Sequence, residues 1–111
     1  MTSTYPALDR TAIIEFDDDG PLGPFTAELR FDAADGTVTF LVTHGSLSGR
    51  TETIPFTAQP VSDDVWLVSW QEEGDLTVLQ VQDFATGVLR TANVTSTHDL
   101  VHVNGSIRLA A

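Results

Sequence analysis

The chain has 111 residues, 41% of them hydrophobic, which is enough for one hydrophobic core and leaves no room for a second. Sixteen acidic residues against five arginines and no lysine give a net charge of −11, which repels phosphate backbones and anionic lipid surfaces and excludes nucleic acid and membrane as expected partners. Cysteine is absent, so disulfides and thiolate metal sites are excluded as well.

The first stretch, "MTSTYPALDR", carries no basic segment followed by an apolar one, so a cytoplasmic location is the default expectation; Pro6–Ala12 has room for a single turn. A lysine-free chain rich in Ala, Thr, Val and Asp also hints at a bacterial source. From there the sequence breaks into short runs with alternating or β-branched character: Ala12–Phe16, Phe25–Phe31, Thr37–Thr43, Arg50–Phe56, Val65–Glu72, Leu76–Phe84, Val88–Val94 and Leu100–Leu109. The segments between them, "DDDGPLGP", "DAADG", "HGSLSG", "TAQPVSDD", "EEGD", "ATG" and "TSTHD", are rich in residues that supply turn geometry. The acidic run at Asp17–Gly20 lacks the alternating ligands and closing glutamate of a calcium loop and reads as a solvated turn.

Eight evenly spaced strands with hairpin-length links read as an all-β fold, a single domain spanning residues 1–111. An antiparallel meander of this length best removes its exposed edges by closing into a small eight-stranded lipocalin-like barrel, with a sandwich as the alternative. Such a barrel either fills its interior with side chains or holds one small ligand.

Alternation sets the phase. In "VWLVSWQE", Trp66, Val68, Trp70 and Glu72 share a face, so an apolar stripe ends on a carboxylate. Either the strand leaves the core at Glu72, or a glutamate stands on the inner wall of an aromatic cavity. The matching inward sets are Phe25, Ala27, Leu29 and Phe31; Val38, Phe40 and Val42; and Ile54 with Phe56. Leu76–Phe84 is mixed on both faces, with Leu76 and Val78 beside Gln80 and Gln82, and Leu79 and Val81 beside Thr77 and Asp83. The last strand sets His102, Asn104 and Arg108 against Val101, Val103 and Leu109. A mixed interior fits a ligand pocket and fits a half-solvated strand equally.

The order of "HGSLSGR" (His44–Arg50) and "VWLVSWQEEGDLTV" (Val65–Val78) resembles two related calycin-like families, the phenolic acid decarboxylases and the small MoaF-like proteins, whose pattern is nearer around "SWQE" and the downstream "VQDF". The decarboxylase resemblance implies active-site roles inside the barrel for Arg50 and Glu72. It does not supply the substrate-gripping tyrosines, because Ile14 and Phe16 stand in the corresponding strand and Tyr5 precedes it. The expected set is Glu72 as acid/base, Arg50 orienting the ligand, and Trp70, Val68, Val78, Phe40, His44 and Gln80 as ligand-binding residues.

Desolvation raises the pKa of such a glutamate toward neutrality, while an adjacent arginine lowers it and reads equally as a buried salt bridge without catalysis. Trp70 offers a flat face to a ligand, or is plain core packing. His44, His98 and His102 are too scattered for a metal site, Ser46 and Ser48 lack a nucleophile elbow, and no phosphate loop occurs, so neither metal nor cofactor is expected. The expectation is a cofactor-free lyase or isomerase acting on a small hydrophobic, aromatic or conjugated molecule, or alternatively a non-catalytic carrier of such a ligand. The decarboxylase resemblance and the two apolar-containing faces of Thr77–Asp83 further imply a homodimer.

Overall fold

In the computed structural model, which describes residues 4–17 and 23–110, eight strands follow in chain order and each pairs antiparallel with the next. They are β1 (Thr11–Phe16), β2 (Phe25–Asp32), β3 (Thr37–His44), β4 (Thr51–Pro60), β5 (Val65–Glu72), β6 (Leu76–Asp83), β7 (Val88–Val94) and β8 (Leu100–Leu109). β1 also pairs with β8, Ile14 opposite Ile107 and Phe16 opposite Gly105, so the sheet closes into a barrel without a free edge. The sandwich alternative falls away. The reading of Asp17–Gly20 as a turn lies outside the described residues from Asp18 onward.

Strand ends match the sequence reading within one residue except at β4, which continues through "TAQP" to Pro60 where a link was expected after Phe56. The reason is visible in the register. Thr51–Pro55 pairs with β3 and Phe56–Pro60 pairs with β5, so the second half of β4 finds its partner in Trp66–Trp70. The ladder between β4 and β5 stops at Phe56 opposite Trp70, and Glu72 is paired only with Leu76 of β6.

Inward positions alternate as the pleat requires: Ala12, Ile14 and Phe16; Ala27, Leu29 and Phe31; Val38, Phe40 and Val42; Trp66, Val68 and Trp70 are all buried. The mixed strand β6 resolves with Val78, Gln80 and Gln82 buried and Leu79 and Val81 on the outer wall, 37% and 41% exposed. On β8, Val103 and Ile107 point inward while His102 and Arg108 are exposed.

One end of the barrel is plugged. The segment before β1 makes a turn, Leu8 N–H to Tyr5 C=O (3.1 Å) and Arg10 N–H to Ala7 C=O (2.9 Å), and is tied to β2 by Asp9 N–H to Phe31 C=O (2.9 Å). That turn carries Tyr5 into the barrel floor, where its ring lies edge-on to Phe31 at 5.1 Å and against Trp66 at 5.3 Å and Phe84 at 5.8 Å. The phenol donates to Gln82 Oε1, and Gln82 Nε2 donates to Gln80 Oε1 (2.8 Å), so these three floor side chains are linked in one chain, while Trp66 Nε1 beside them has no partner.

The closing seam is as tight as backbone geometry allows. A Cβ on Gly105 would stand 2.0 Å from the Glu15 carbonyl oxygen and 2.9 Å from Phe16 Cα, so no side chain fits where β8 crosses β1. Phe16 uses the space beside this crossing to stack on Phe25, ring centroids 4.4 Å apart. Gly105→Ala must therefore push the two strands apart, and we expect a loss of about 2 kcal/mol or more in urea denaturation. An unchanged midpoint would contradict this account of barrel closure.

Candidate functional site

Above the aromatic floor the barrel is not filled. A cavity of about 140 Å³ remains, comparable to the ~150 Å³ apolar cavity that accommodates benzene in an engineered lysozyme. Its walls are mostly apolar, from Ile14, Phe16, Phe25, Leu29, Phe40, Val42, Leu47, Leu76 and Val78, with Trp70 presenting its ring among them. Five polar side chains interrupt that lining: Arg50, Glu72, Gln80, Thr91 and Asn93.

Glu72 is reached by a two-residue step along β5 from Trp70, and the step places both side chains on the inner face. The carboxyl group is consequently held by its own strand: Trp70 Nε1 donates to Glu72 Oε2 at 3.0 Å. The second oxygen, Oε1, has a looser partner in Arg50, whose Nη2 lies at 3.4 Å. Arg50 follows the hairpin between β3 and β4, is fixed by Val42 N–H to the Arg50 carbonyl (2.9 Å), and lies with its guanidinium carbon 5.9 Å above the Phe40 ring. Its side chain is 43% exposed while that of Glu72 is 12% exposed, so the charge partner stands in water and the carboxyl does not.

This difference sets the direction in which the Glu72 pKa is displaced. Burial pushes its pKa above the ordinary carboxylate value; the Trp70 hydrogen bond and the Arg50 charge oppose that push without reversing it, and the Glu52 carboxylate adds to it. Glu52 is itself engaged, accepting from Glu73 N–H at 2.9 Å across the gap where the β4–β5 ladder has stopped. A buried salt bridge would have lowered the pKa. The arrangement is instead a desolvated carboxyl with one fixed oxygen and one loosely held.

The expected site residues divide clearly. Glu72, Arg50, Trp70, Val78, Phe40 and Gln80 all line the cavity. Val68 is wholly buried in the core and is not part of the lining. His44 is exposed, its ring nitrogen 3.1 Å from Thr43 Oγ1, and it too is absent from the lining. Parity along Val38, Phe40 and Val42 would have turned His44 inward, but a bulge intervenes: Ala27 pairs with Val42 and Thr26 with His44, so one extra residue on β3 breaks the alternation.

Thr91 and Asn93 were not singled out from the sequence. The signal was present in "VLRTANV", where Leu89, Thr91 and Asn93 occupy alternate positions and Leu89 is wholly buried, so the same face turns polar toward the cavity. Among the described residues no three His, Cys, Asp or Glu side chains come together to hold a metal; His98 sits in the β7–β8 turn and His102 on the outer wall.

A family model described as MoaF-like matches residues 17–108. Among solved structures, the chain is similar to a "putative beta-lactamase" from Burkholderia vietnamiensis, with 27% identity, a TM-score of 0.83, and coverage of 99% of this chain and 100% of that one. No curated protein matches the chain. These matches carry the MoaF-like half of the resemblance read from "SWQE" and not the decarboxylase half.

Two outcomes follow from the carboxyl geometry. Arg50→Met and Trp70→Phe each remove a group that favours the charged carboxylate, so each should raise the Glu72 pKa further, as read by carbon-13 NMR of the carboxyl carbon. An unchanged titration in both variants would mean that the three side chains are not neighbours in solution. The second concerns stability. With the folded pKa raised, the native state binds more protons than the unfolded chain between the ordinary carboxylate value and the raised one, so Glu72's contribution to stability falls as pH rises through that window. Glu72→Gln should abolish that fall, and urea denaturation at pH 4 and pH 7 should show the variant gaining on the parent at the higher pH.

Proposed function

The chain belongs to the MoaF-like family, and from that premise we propose that its barrel binds a small aromatic or conjugated molecule and that Glu72 exchanges a proton with it, as in a cofactor-free lyase or isomerase. The observation that carries this reading is the raised pKa of a carboxyl group anchored by Trp70 inside an apolar cavity. A general acid or base works best when its pKa lies near the operating pH, and desolvation moves Glu72 in that direction. Its Oε2 is fixed by the indole and Oε1 is held at only 3.4 Å, so Oε1 is the atom able to give or take a proton without breaking the anchor. Arg50, half in water at the rim, orients an oxygen of the ligand and stabilises negative charge that develops there. Trp70 supplies the flat surface on which a ring or conjugated system lies.

The attribution attached to the Burkholderia vietnamiensis structure does not transfer easily to these residues. Serine β-lactamase chemistry requires a nucleophilic serine with a lysine beside it, and this chain has no lysine. Among the described residues the cavity lining contains a single hydroxyl, that of Thr91, and neither histidine nor lysine to activate it. Proton transfer by Glu72 asks for no such nucleophile.

The test begins with native mass spectrometry of the protein purified from its own host, to identify a co-purifying molecule. With that molecule as substrate, Glu72→Gln should cut turnover by about 100-fold or more while leaving affinity within a few-fold, the range expected when a general acid or base is removed. A variant that changes affinity alone, with no conversion by either protein, would overturn the catalytic reading and identify a carrier.

A further inference from the structure

The open polar atoms on the wall that β6 and β7 give to the cavity are of one kind. Among the described residues, these strands set three polar side chains on it, Gln80, Thr91 and Asn93. Gln80 Oε1 already accepts from Gln82 Nε2 (2.8 Å). Thr91 Oγ1 and Asn93 Oδ1 are sealed from the cavity as well as from water, and neither has a partner. The open end of the half-buried Asn93 is therefore its NH2 group. The reverse orientation of that amide would seal two N–H donors in place of one acceptor, and orphaned N–H groups are the rarer of the two in folded proteins. This wall thus offers a ligand N–H and no free acceptor.

Register fixes where that donor stands. Trp70 is opposite Val78 and Val78 is opposite Asn93, so the amide is level with the indole and two strands away, about 10 Å along the wall. Glu72, opposite Leu76, is one pleat step nearer the mouth. We propose that Asn93 is the hydrogen-bond donor for the carbonyl oxygen of a small neutral ring ketone, which lies on Trp70 and turns a C–H next to its carbonyl toward Glu72. Ring size follows from a cavity of about 140 Å³. Neutrality follows from the wall: Arg50, the cation of the lining, stands at the mouth against Glu72, so an anionic ligand oxygen at Asn93 would be buried without a counter-charge. Proton transfer on such a ligand balances without a co-reactant. The Glu72 carboxylate takes the proton, the electron pair of the C–H bond forms a C=C bond, and the carbonyl π pair moves onto the oxygen that the Asn93 N–H holds. Returning the proton to the same carbon regenerates the ketone, and returning it to the far end of a conjugated system gives an isomer.

The inference rests on the reading of the cavity as a ligand site with Glu72 as its acid/base, and it adds the partner of the ligand's oxygen. The probes are cyclohexanone and methylenecyclohexane, which differ by O against CH2, each titrated by NMR against the backbone amides of the cavity strands. Water solvates the ketone better, so the readout is the ratio of the two affinities and its change on mutation. Asn93→Leu should shift that ratio about tenfold against the ketone, the equivalent of one hydrogen bond, and Asn93→Ala should shift it in the same direction. The carbonyl carbon-13 signal of bound cyclohexanone, displaced by the hydrogen bond in the wild type, should return toward its unbonded position in both variants. A ratio and a carbonyl signal unchanged in both would overturn the Asn93 subsite and leave the cavity reading standing. Exchange of the hydrogens next to the carbonyl for deuterium in D2O reads Glu72 separately: the wild type should accelerate it, Glu72→Gln should abolish the acceleration, and Asn93→Leu should cut it by about 100-fold. A ratio that shifts with no acceleration of exchange would establish the subsite and overturn Glu72 as the base. If neither ring perturbs the cavity amides, the cavity reading fails and the subsite with it.

Discussion

A carboxyl group on the inner wall of a barrel has little water to keep it charged, and here its place is set by two residues of one strand. Trp70 and Glu72 share the inner face of β5, and the indole N–H holds Oε2 at 3.0 Å. That bond fixes one oxygen, keeps the carboxyl within the cavity, and offsets only part of the desolvation that raises its pKa. Arg50 contributes from the rim, where its own exposure weakens its hold. Had Arg50 been buried at a shorter distance, the pair would have been a structural ion pair with a charged, inert glutamate.

Everything beneath that bond is built to be rigid. The floor is closed by Tyr5, which meets Phe31, Trp66 and Phe84 and anchors the Gln82–Gln80 chain, and the barrel is closed laterally by the β8–β1 crossing that only glycine permits at position 105. A packed aromatic floor and a cavity with unpaired polar atoms in the same small barrel are a division of labour: one half supplies stability, and the other accepts buried polar groups that a purely structural protein would replace by apolar ones. Thr91 and Asn93 are the residues at which that cost is visible.

The strands and the face shared by Trp66, Val68, Trp70 and Glu72 were legible because period-2 alternation is a local property, and "VWLVSWQE" contains it without interruption, although alternation alone left open whether the strand leaves the core at Glu72. What was not legible depended on distant partners. The extension of β4 to Pro60 follows from a change of neighbour at Phe56, the turning-out of His44 follows from a bulge opposite Thr26 and Ala27, and the floor role of Tyr5 requires the chain before β1 to fold under the barrel. Thr91 and Asn93 were accessible in principle, by continuing inward from Leu89, but a polar residue on an inner face is read as solvated until the closed barrel shows that no solvent is there.

The account depends on Glu72 being protonated more readily than an ordinary glutamate. Selective carbon-13 labelling of glutamate, with assignment of the Glu72 carboxyl by comparison with Glu72→Gln, gives its titration in the wild-type protein directly. The account predicts a midpoint above that of the exposed glutamates measured in the same sample. A midpoint at or below theirs would mean that Arg50 and water keep the carboxylate charged, and that the cavity's acid is a structural salt-bridge partner.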